Sequence, residues 1–224
     1  MLEIIAMTQD DAIDIEKGGA DRIELVSALT EGGLTPSYAI IEAVIQSVNI
    51  PVNVMVRHHA KSFIYSEDEI NLMIRDIEII KKLGANGVVF GCLNSHHQIA
   101  TSQLERILES CQGLEVTFHK AIDETDVLES VKILSQYPQV TNILTAGGKN
   151  PIIENVALLK QMIQHSKHVN ILLGGGLTLE NVAQIKEETH ATDFHFGTAV
   201  RTGSSPFGEI DIDKIRHLTQ EILD

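Results

Sequence analysis

Val52-Asn-Val-Met-Val-Arg57 is a short, mostly apolar run, and Ser66-Glu-Asp-Glu69 follows it with the pattern of a helix capping box. Beyond that cap, Ile70, Met73, Ile77 and Ile80 recur at the spacing of one helical face. Gly87-Val-Val-Phe-Gly-Cys-Leu93 then opens a second apolar run. Strand, helix, strand is the repeating unit of a parallel sheet, whose strands are apolar on both faces because helices cover them. The same alternation extends in both directions. Further runs lie at Leu2–Met7, Arg22–Ser27, Glu115–Ala121, Asn142–Ala146, Asn170–Leu173 and Phe194–Thr198, each followed by helical periodicity. Thr35-Pro36 and Asn150-Pro151 read as helix starts, a capping side chain before a first-turn proline, and Asp211–Leu223 reads as a closing helix. Eight units with no linker or low-complexity tract predict a single (β/α)₈ TIM barrel spanning residues 1–224, its eight parallel strands closed into a ring. An open doubly wound sheet is the alternative.

Composition narrows the function classes. Hydrophobic residues make up 43% of the 224, enough for a large core. The formal net charge of −14, with no Lys/Arg cluster, argues against nucleic acid or an anionic membrane surface as partner. No apolar run approaches the roughly 20 residues of a spanning helix. The opening MLEIIAM lacks the basic leader and small-residue cleavage site of a secretory signal, so a cytoplasmic protein is expected. Cys92 and Cys111 are too few for a disulfide scaffold and lack metal-knuckle spacing.

Charge inside the strands is the informative anomaly. A charged side chain beneath the helical layer would be unpaired and costly. Glu3, Glu24, Asn53, Arg57, Thr117, His119 and His195 are therefore expected to face the axis, those near strand C-terminal ends reaching the mouth, where barrel active sites lie. The catalytic candidates are Glu24, Arg57, His119, Lys120, Asp123 and His195. His119 offers a base or ligand, Lys120 a cation, and Asp123 either a carboxylate or only the cap of a helix beginning near Thr125. Strand alternation would send His119 and Lys120 to different faces unless the strand has already ended. Structural alternatives stand beside each: Glu3 and Glu24 as a packing pair with Arg22 or Arg57, the histidines as satisfied core residues, Arg57 as a surface charge.

Glycines mark the later loops. Gly174, Gly175 and Gly176 follow the seventh run, Gly197 ends the eighth, and Gly147 and Gly148 follow the sixth beside Lys149. Loops after strands seven and eight hold phosphate in many barrels, so these six glycines form a candidate anion site, with tight turns as the alternative. The pairs His58-His59 and His96-His97 suggest metal, but adjacent residues share no face of a strand or helix. Each pair is expected to give one ligand at most, and solvated loop histidines are the plainer reading.

Gly19-Ala-Asp-Arg-Ile-Glu-Leu25, continuing through Ser27-Ala-Leu-Thr-Glu-Gly-Gly-Leu-Thr-Pro-Ser37, closely resembles the signature of the CutC family. Similar stretches run through Val54–Arg57, Phe63–Ser66, Gly87–Gly91, Thr117–Asp123, Ile143–Gly148 and Gly174–Gly176. The resemblance covers nearly the whole chain. It implies a cytoplasmic barrel, a homo-oligomer, linked to copper tolerance and described as copper-binding. Three departures stand out. Val26 occupies a position that is often cysteine and has been proposed to bind copper. His58-His59 replace Pro-Arg after Arg57, and Lys120 replaces arginine. Copper(I) prefers thiolate or thioether, which leaves Cys92 as a possible substitute and the metal ligands unassigned. Copper handling, an enzyme acting on a small phosphorylated or anionic metabolite, and a barrel with an inactive mouth all remain open. A variant of the enzyme reading has Glu24, His119 and His195 hold a divalent metal that activates water.

Overall fold

In the computed structural model, which describes residues 1–223, eight parallel strands hydrogen-bond in sequence order and close as a barrel. The strands are β1 (Leu2–Ala6), β2 (Arg22–Leu25), β3 (Val52–Met55), β4 (Gly87–Phe90), β5 (Glu115–Phe118), β6 (Asn142–Thr145), β7 (Asn170–Gly174) and β8 (Asp193–Phe196). Helices α1 (Gln9–Gly18), α2 (Tyr38–Ser47), α3 (Glu67–Lys82), α4 (Thr101–Ser110), α5 (Val127–Leu134), α6 (Val156–His165), α7 (Val182–Thr189) and α8 (Ile212–Leu223) alternate with them. Closure is made by β1 pairing with β8, Glu3 opposite His195. The open-sheet alternative is thereby excluded. Asp224 lies outside the described residues.

Alternation along each strand separates two cores. Ile4, Ile23, Val54, Val88 and Phe118 belong to the large cluster beneath the helices, while Ile5, Val26, Met55 and Val89 form a small separate cluster on the inner face. Helix α3 buries Ile70, Met73, Ile77 and Ile80 against the barrel, and its Ser66–Glu69 capping box is complete. Each such fully buried side chain stabilises the fold by about 1.5–3 kcal/mol. The two proline-marked starts behave differently. Ser37, not Thr35, occupies the cap position of α2, and the Thr35 hydroxyl instead accepts the Arg57 N–H at 2.8 Å. Asn150-Pro151 leads into a 3₁₀ turn, Ile152–Asn155, before α6. Among the described residues no helix is long and apolar enough to cross a membrane.

One buried ion pair fastens the barrel's seam. Arg201, after β8, donates to both carboxylate oxygens of Asp11 at 2.7 and 3.3 Å, and also to Ile5 O and Gly208 O. It ties the last loop to the start of α1. Composition gave no sign of this pair, whose members lie at opposite ends of the chain.

Candidate functional site

The inner face changes character from bottom to mouth. At the N-terminal end of the strands, Arg22 donates to Glu3 at 2.6 Å and reaches across to Glu115 at 3.0 Å. His195 Nδ1 donates to the other Glu3 oxygen at 2.7 Å. Burial alone would raise the Glu3 pKa, but the charges of Arg22 and His195 and their hydrogen bonds bring it below the usual value. Glu3 is thus the ionised, fully paired member of a structural network, as the packing alternative expected.

Glu24, one inward position higher, is placed differently. It is 2% exposed, its nearest partner is His195 Nε2 at 3.7 Å, and its Oε1 meets no donor. A carboxylate buried without donors resists ionising. Burial pushes Glu24 up to about 7, with the Glu3 charge adding to the rise and His195 opposing it. Burial works against the charge on His195, yet Glu24 and Glu3 together raise its pKa. Glu24 faces neither Arg22 nor Arg57 as a hydrogen-bonded partner.

A cavity of about 450 Å³ opens above this pair at the C-terminal ends of the strands, lined by Glu24, Arg57, His119, Lys120 and His195 together with Gly175, Gly176 and Gly197. His119 and Lys120 both face it. Strand β5 ends at Phe118, so strand alternation no longer applies to them. The His119 ring fits because β4 is followed by Gly91, where a Cβ would lie 2.5 Å from His119 Nδ1. Phe63 sits between two of the wall groups. Its ring lies 4.7 Å from the Arg57 guanidinium and 4.9 Å from the His119 ring.

His119 is no base. Ala121 N–H donates to its Nδ1 at 3.2 Å, so a neutral ring carries its proton on Nε2. Burial, followed by the Arg57 and Lys120 charges, pushes its pKa down to about 3. With Nδ1 accepting from Ala121, the neutral ring presents Nε2–H as a donor rather than a lone pair. That Nε2 and Arg57 Nε are both buried and meet no hydrogen-bond acceptor among the described residues. Arg57 Nη1 is anchored on Glu31 O and Gly33 O at 2.8 and 3.2 Å.

Asp123 and two of the glycines belong to a neighbouring structure. The Asp123 carboxylate accepts the Thr145 hydroxyl at 2.5 Å, the Ala146 and Gly148 N–H groups, and Lys120 Nζ at 2.6 Å. Gly147 N–H goes to Thr145 Oγ1 at 2.8 Å. The turn after β6 is wrapped around the protein's own carboxylate, so Gly147 and Gly148 do not join Gly175, Gly176 and Gly197 at the mouth. Asp126, not Asp123, caps α5. Gly174 ends β7, where a Cβ would press on Leu144 and His195, which marks it as a spacing residue. Gly175 makes room for the Lys120 ammonium in the same way. Lys214 of α8 also borders the cavity and was not marked by any strand pattern.

The cysteines and paired histidines complete the placement. Cys92 and Cys111 are buried in the outer core, and burial raises both thiols to about 12. His96 and His97 are exposed, with His97 3.3 Å from Glu124. His58 and His59 depart from the alternation rule. They follow the end of β3 in irregular backbone, and both rings turn toward Glu69.

A family model for the CutC family matches residues 1–200. The chain belongs to the CutC family. A copper homeostasis protein cutC homolog of Homo sapiens is 38% identical over 197 residues, covering 87% of this chain and 72% of that protein. A family protein CutC of Pasteurella multocida is 37% identical over 195 residues, covering 86% and 80%. Among solved structures, one named for the copper homeostasis protein CutC of Streptococcus agalactiae superposes with a TM-score of 0.83 at 34% identity, covering 88% of this chain and 98% of that one.

Proposed function

We propose that this CutC-family protein takes part in copper homeostasis, the role its human relative is named for, and that it works by binding a small anionic molecule in the barrel mouth. One observation carries the second half. Three basic side chains, Arg57, Lys120 and Lys214, and the neutral donor His119 border one cavity. Such a cluster of positive charge on a protein of net charge −14 favours an anion there over the rest of the surface. Lys120 shares its charge with Asp123, and the exposed Gly175 and Gly176 line the same cavity.

The residues present do not fit a thiolate copper site. Val26 sits on the inner face, where a donor would be useful, and carries none. Both thiols are buried away from the mouth and held protonated. Glu3, Glu24 and His195 do come within 4.8 Å of one another. However, Glu3 is consumed by Arg22 and His195 Nδ1, which leaves two donors where a stable site needs three or four.

A second reading, proton transfer on the bound molecule, rests on Glu24. A carboxyl with pKa near 7 exchanges protons at neutral pH, and a neutral histidine donor can polarise a carbonyl beside it. Thermal-shift titration with phosphate, sulfate and small carboxylates tests the binding claim. At least one should raise the melting point of the wild type and not of Arg57→Met or His119→Phe, since a ligand of the folded form shifts Tm by mass action. Equal shifts in the variants would overturn the mouth as the site. Copper tolerance of CutC-deficient cells carrying wild type or Arg57→Met tests whether this binding serves copper homeostasis.

A further inference from the structure

The loop between β3 and α3 holds a second constellation, separate from the mouth. His58 and His59 are partly buried, and their Nε2 atoms lie 3.5 and 3.3 Å from the same Glu69 oxygen, Oε1. All three donor atoms fall within 4.8 Å of one another. Charge-assisted N–H···O bonds run at about 2.7–2.9 Å, so both contacts are looser than an optimal ion pair, although the two rings, after the Ser66 N–H, do lower the Glu69 carboxyl's pKa. The two separations are the right length for something else. Two donors bound tetrahedrally to one ion at about 2.0–2.1 Å stand about 3.3 Å apart.

The three side chains are held in advance. Glu69 is in the first turn of α3, where its Oε2 accepts the Ser66 N–H at 2.7 Å while its own N–H goes to Ser66 Oγ. The capping box thereby fixes Oε2 and leaves Oε1 directed at the imidazoles. Buried Tyr65 lies against both rings, with centroids 5.6 Å from His58 and 5.1 Å from His59. Neither Nδ1 has a hydrogen-bond partner among the described residues, and both are buried. In contrast to His119, no donor occupies Nδ1, so the ring proton can sit there and leave the Nε2 lone pair free. A protein of net charge −14 also draws cations toward such a rim.

The geometry points to His58, His59 and Glu69 as a binding site for one divalent transition-metal ion of borderline softness, with Cu²⁺ and Zn²⁺ the fitting examples. Two imidazoles and a carboxylate are the donor set these ions take, with the remaining position open to water. The site does not depend on what the mouth binds.

The test is titration of the metal-free protein with Cu²⁺ and, separately, Zn²⁺, followed by calorimetry and, for copper, electron paramagnetic resonance. The expected result is one site with nitrogen hyperfine structure from two imidazoles. His58→Gln and His59→Gln should each weaken it by at least tenfold, and the double variant should abolish it. Loss of a ligand cannot cost less than loss of an outer-sphere partner, for which tenfold is typical. Metal-free melting points and the anion-induced thermal shift should stay as in wild type, which separates this site from the mouth. His96→Gln/His97→Gln should leave binding intact. Wild-type affinity and an unchanged spectrum in the His58→Gln/His59→Gln protein, or no binding by the wild type tighter than about millimolar, would overturn the assignment.

Discussion

Glu24→Gln offers the sharpest test of the mouth's electrostatics. The substitution keeps size and shape while removing the group that resists ionisation. In the unfolded chain a glutamate titrates near 4.5, whereas burial holds Glu24 near 7 in the folded state. Between those values the folded state binds the extra proton, so stability falls as pH rises from 4.5 to 7 and stays low above it. At about 1.4 kcal/mol for each pH unit, the penalty is on the order of 3 kcal/mol. His195 acts in the same direction. Its folded pKa lies above the ordinary 6.5, so the stability it contributes is full below 6.5 and lost as pH climbs through the raised value. Removing the Glu24 charge removes the largest influence raising it. Urea unfolding of wild type and Glu24→Gln at pH 5 and pH 8 reads the difference, and comparing the two proteins cancels the groups they share. The variant should gain about 3 kcal/mol relative to wild type between pH 5 and pH 8. A gain near zero, or a loss, would mean that Glu24 is ionised throughout and paired with charged His195, and the mouth would hold an ordinary salt bridge.

Two further substitutions test the frame. Gly91→Ala would place a methyl 2.5 Å from His119 Nδ1 and 3.0 Å from Ala121 Cβ, so the ring must move. Overpacking of this kind costs about 1–3 kcal/mol, read as a lower urea midpoint, together with weaker anion binding at the mouth. Arg201→Ala leaves Asp11 buried without its cation and should cost about 3–5 kcal/mol in the same assay, with Arg201→Lys recovering part of it.

Strand positions were legible because the chemistry of a parallel strand is local. Apolar runs such as Val52–Met55 and Gly87–Phe90 satisfy themselves within a few residues. Any charge inside them had to face the axis, which is why Glu3, Glu24 and His195 could be placed together. What failed were rules carried past the end of a strand. Alternation would have separated His58 from His59, and it bore on His119 and Lys120 only if their strand ran on; β3 stops at Met55 and β5 at Phe118, and the irregular backbone beyond turns each pair to one side. Other features were hidden because the partners are backbone or distant. Asp123 is occupied by N–H groups at Ala146 and Gly148, which any residue would supply, and Asp11 meets Arg201 only through ring closure. The role of His119 turned on one backbone N–H, from Ala121, that no spacing reveals.

Val26 is where the family resemblance and the chemistry of this chain part, and it can be tested by restoring the cysteine. Val26 belongs to the inner cluster with Met55, and both side chains lie beside Gly33, each 3.2 Å from where a Cβ on that residue would stand. A thiol at 26 would therefore neighbour a thioether, and sulfur pairs are what copper(I) favours. Val26→Cys replaces one small apolar side chain with another, so the fold should lose little, under about 1.5 kcal/mol. Competition with a colorimetric copper(I) chelator should then show the variant withdrawing copper(I) while the wild type does not. Met55→Leu in the same background should weaken that capture. If the wild type competes as well as Val26→Cys, copper(I) is held without sulfur from this position, and the claim that the donors present do not suit a thiolate site is wrong. If only the variant competes, the wild type's part in copper homeostasis must run through oxygen and nitrogen groups, and the search for its ligand belongs at Arg57, His119 and the loop that carries His58 and His59.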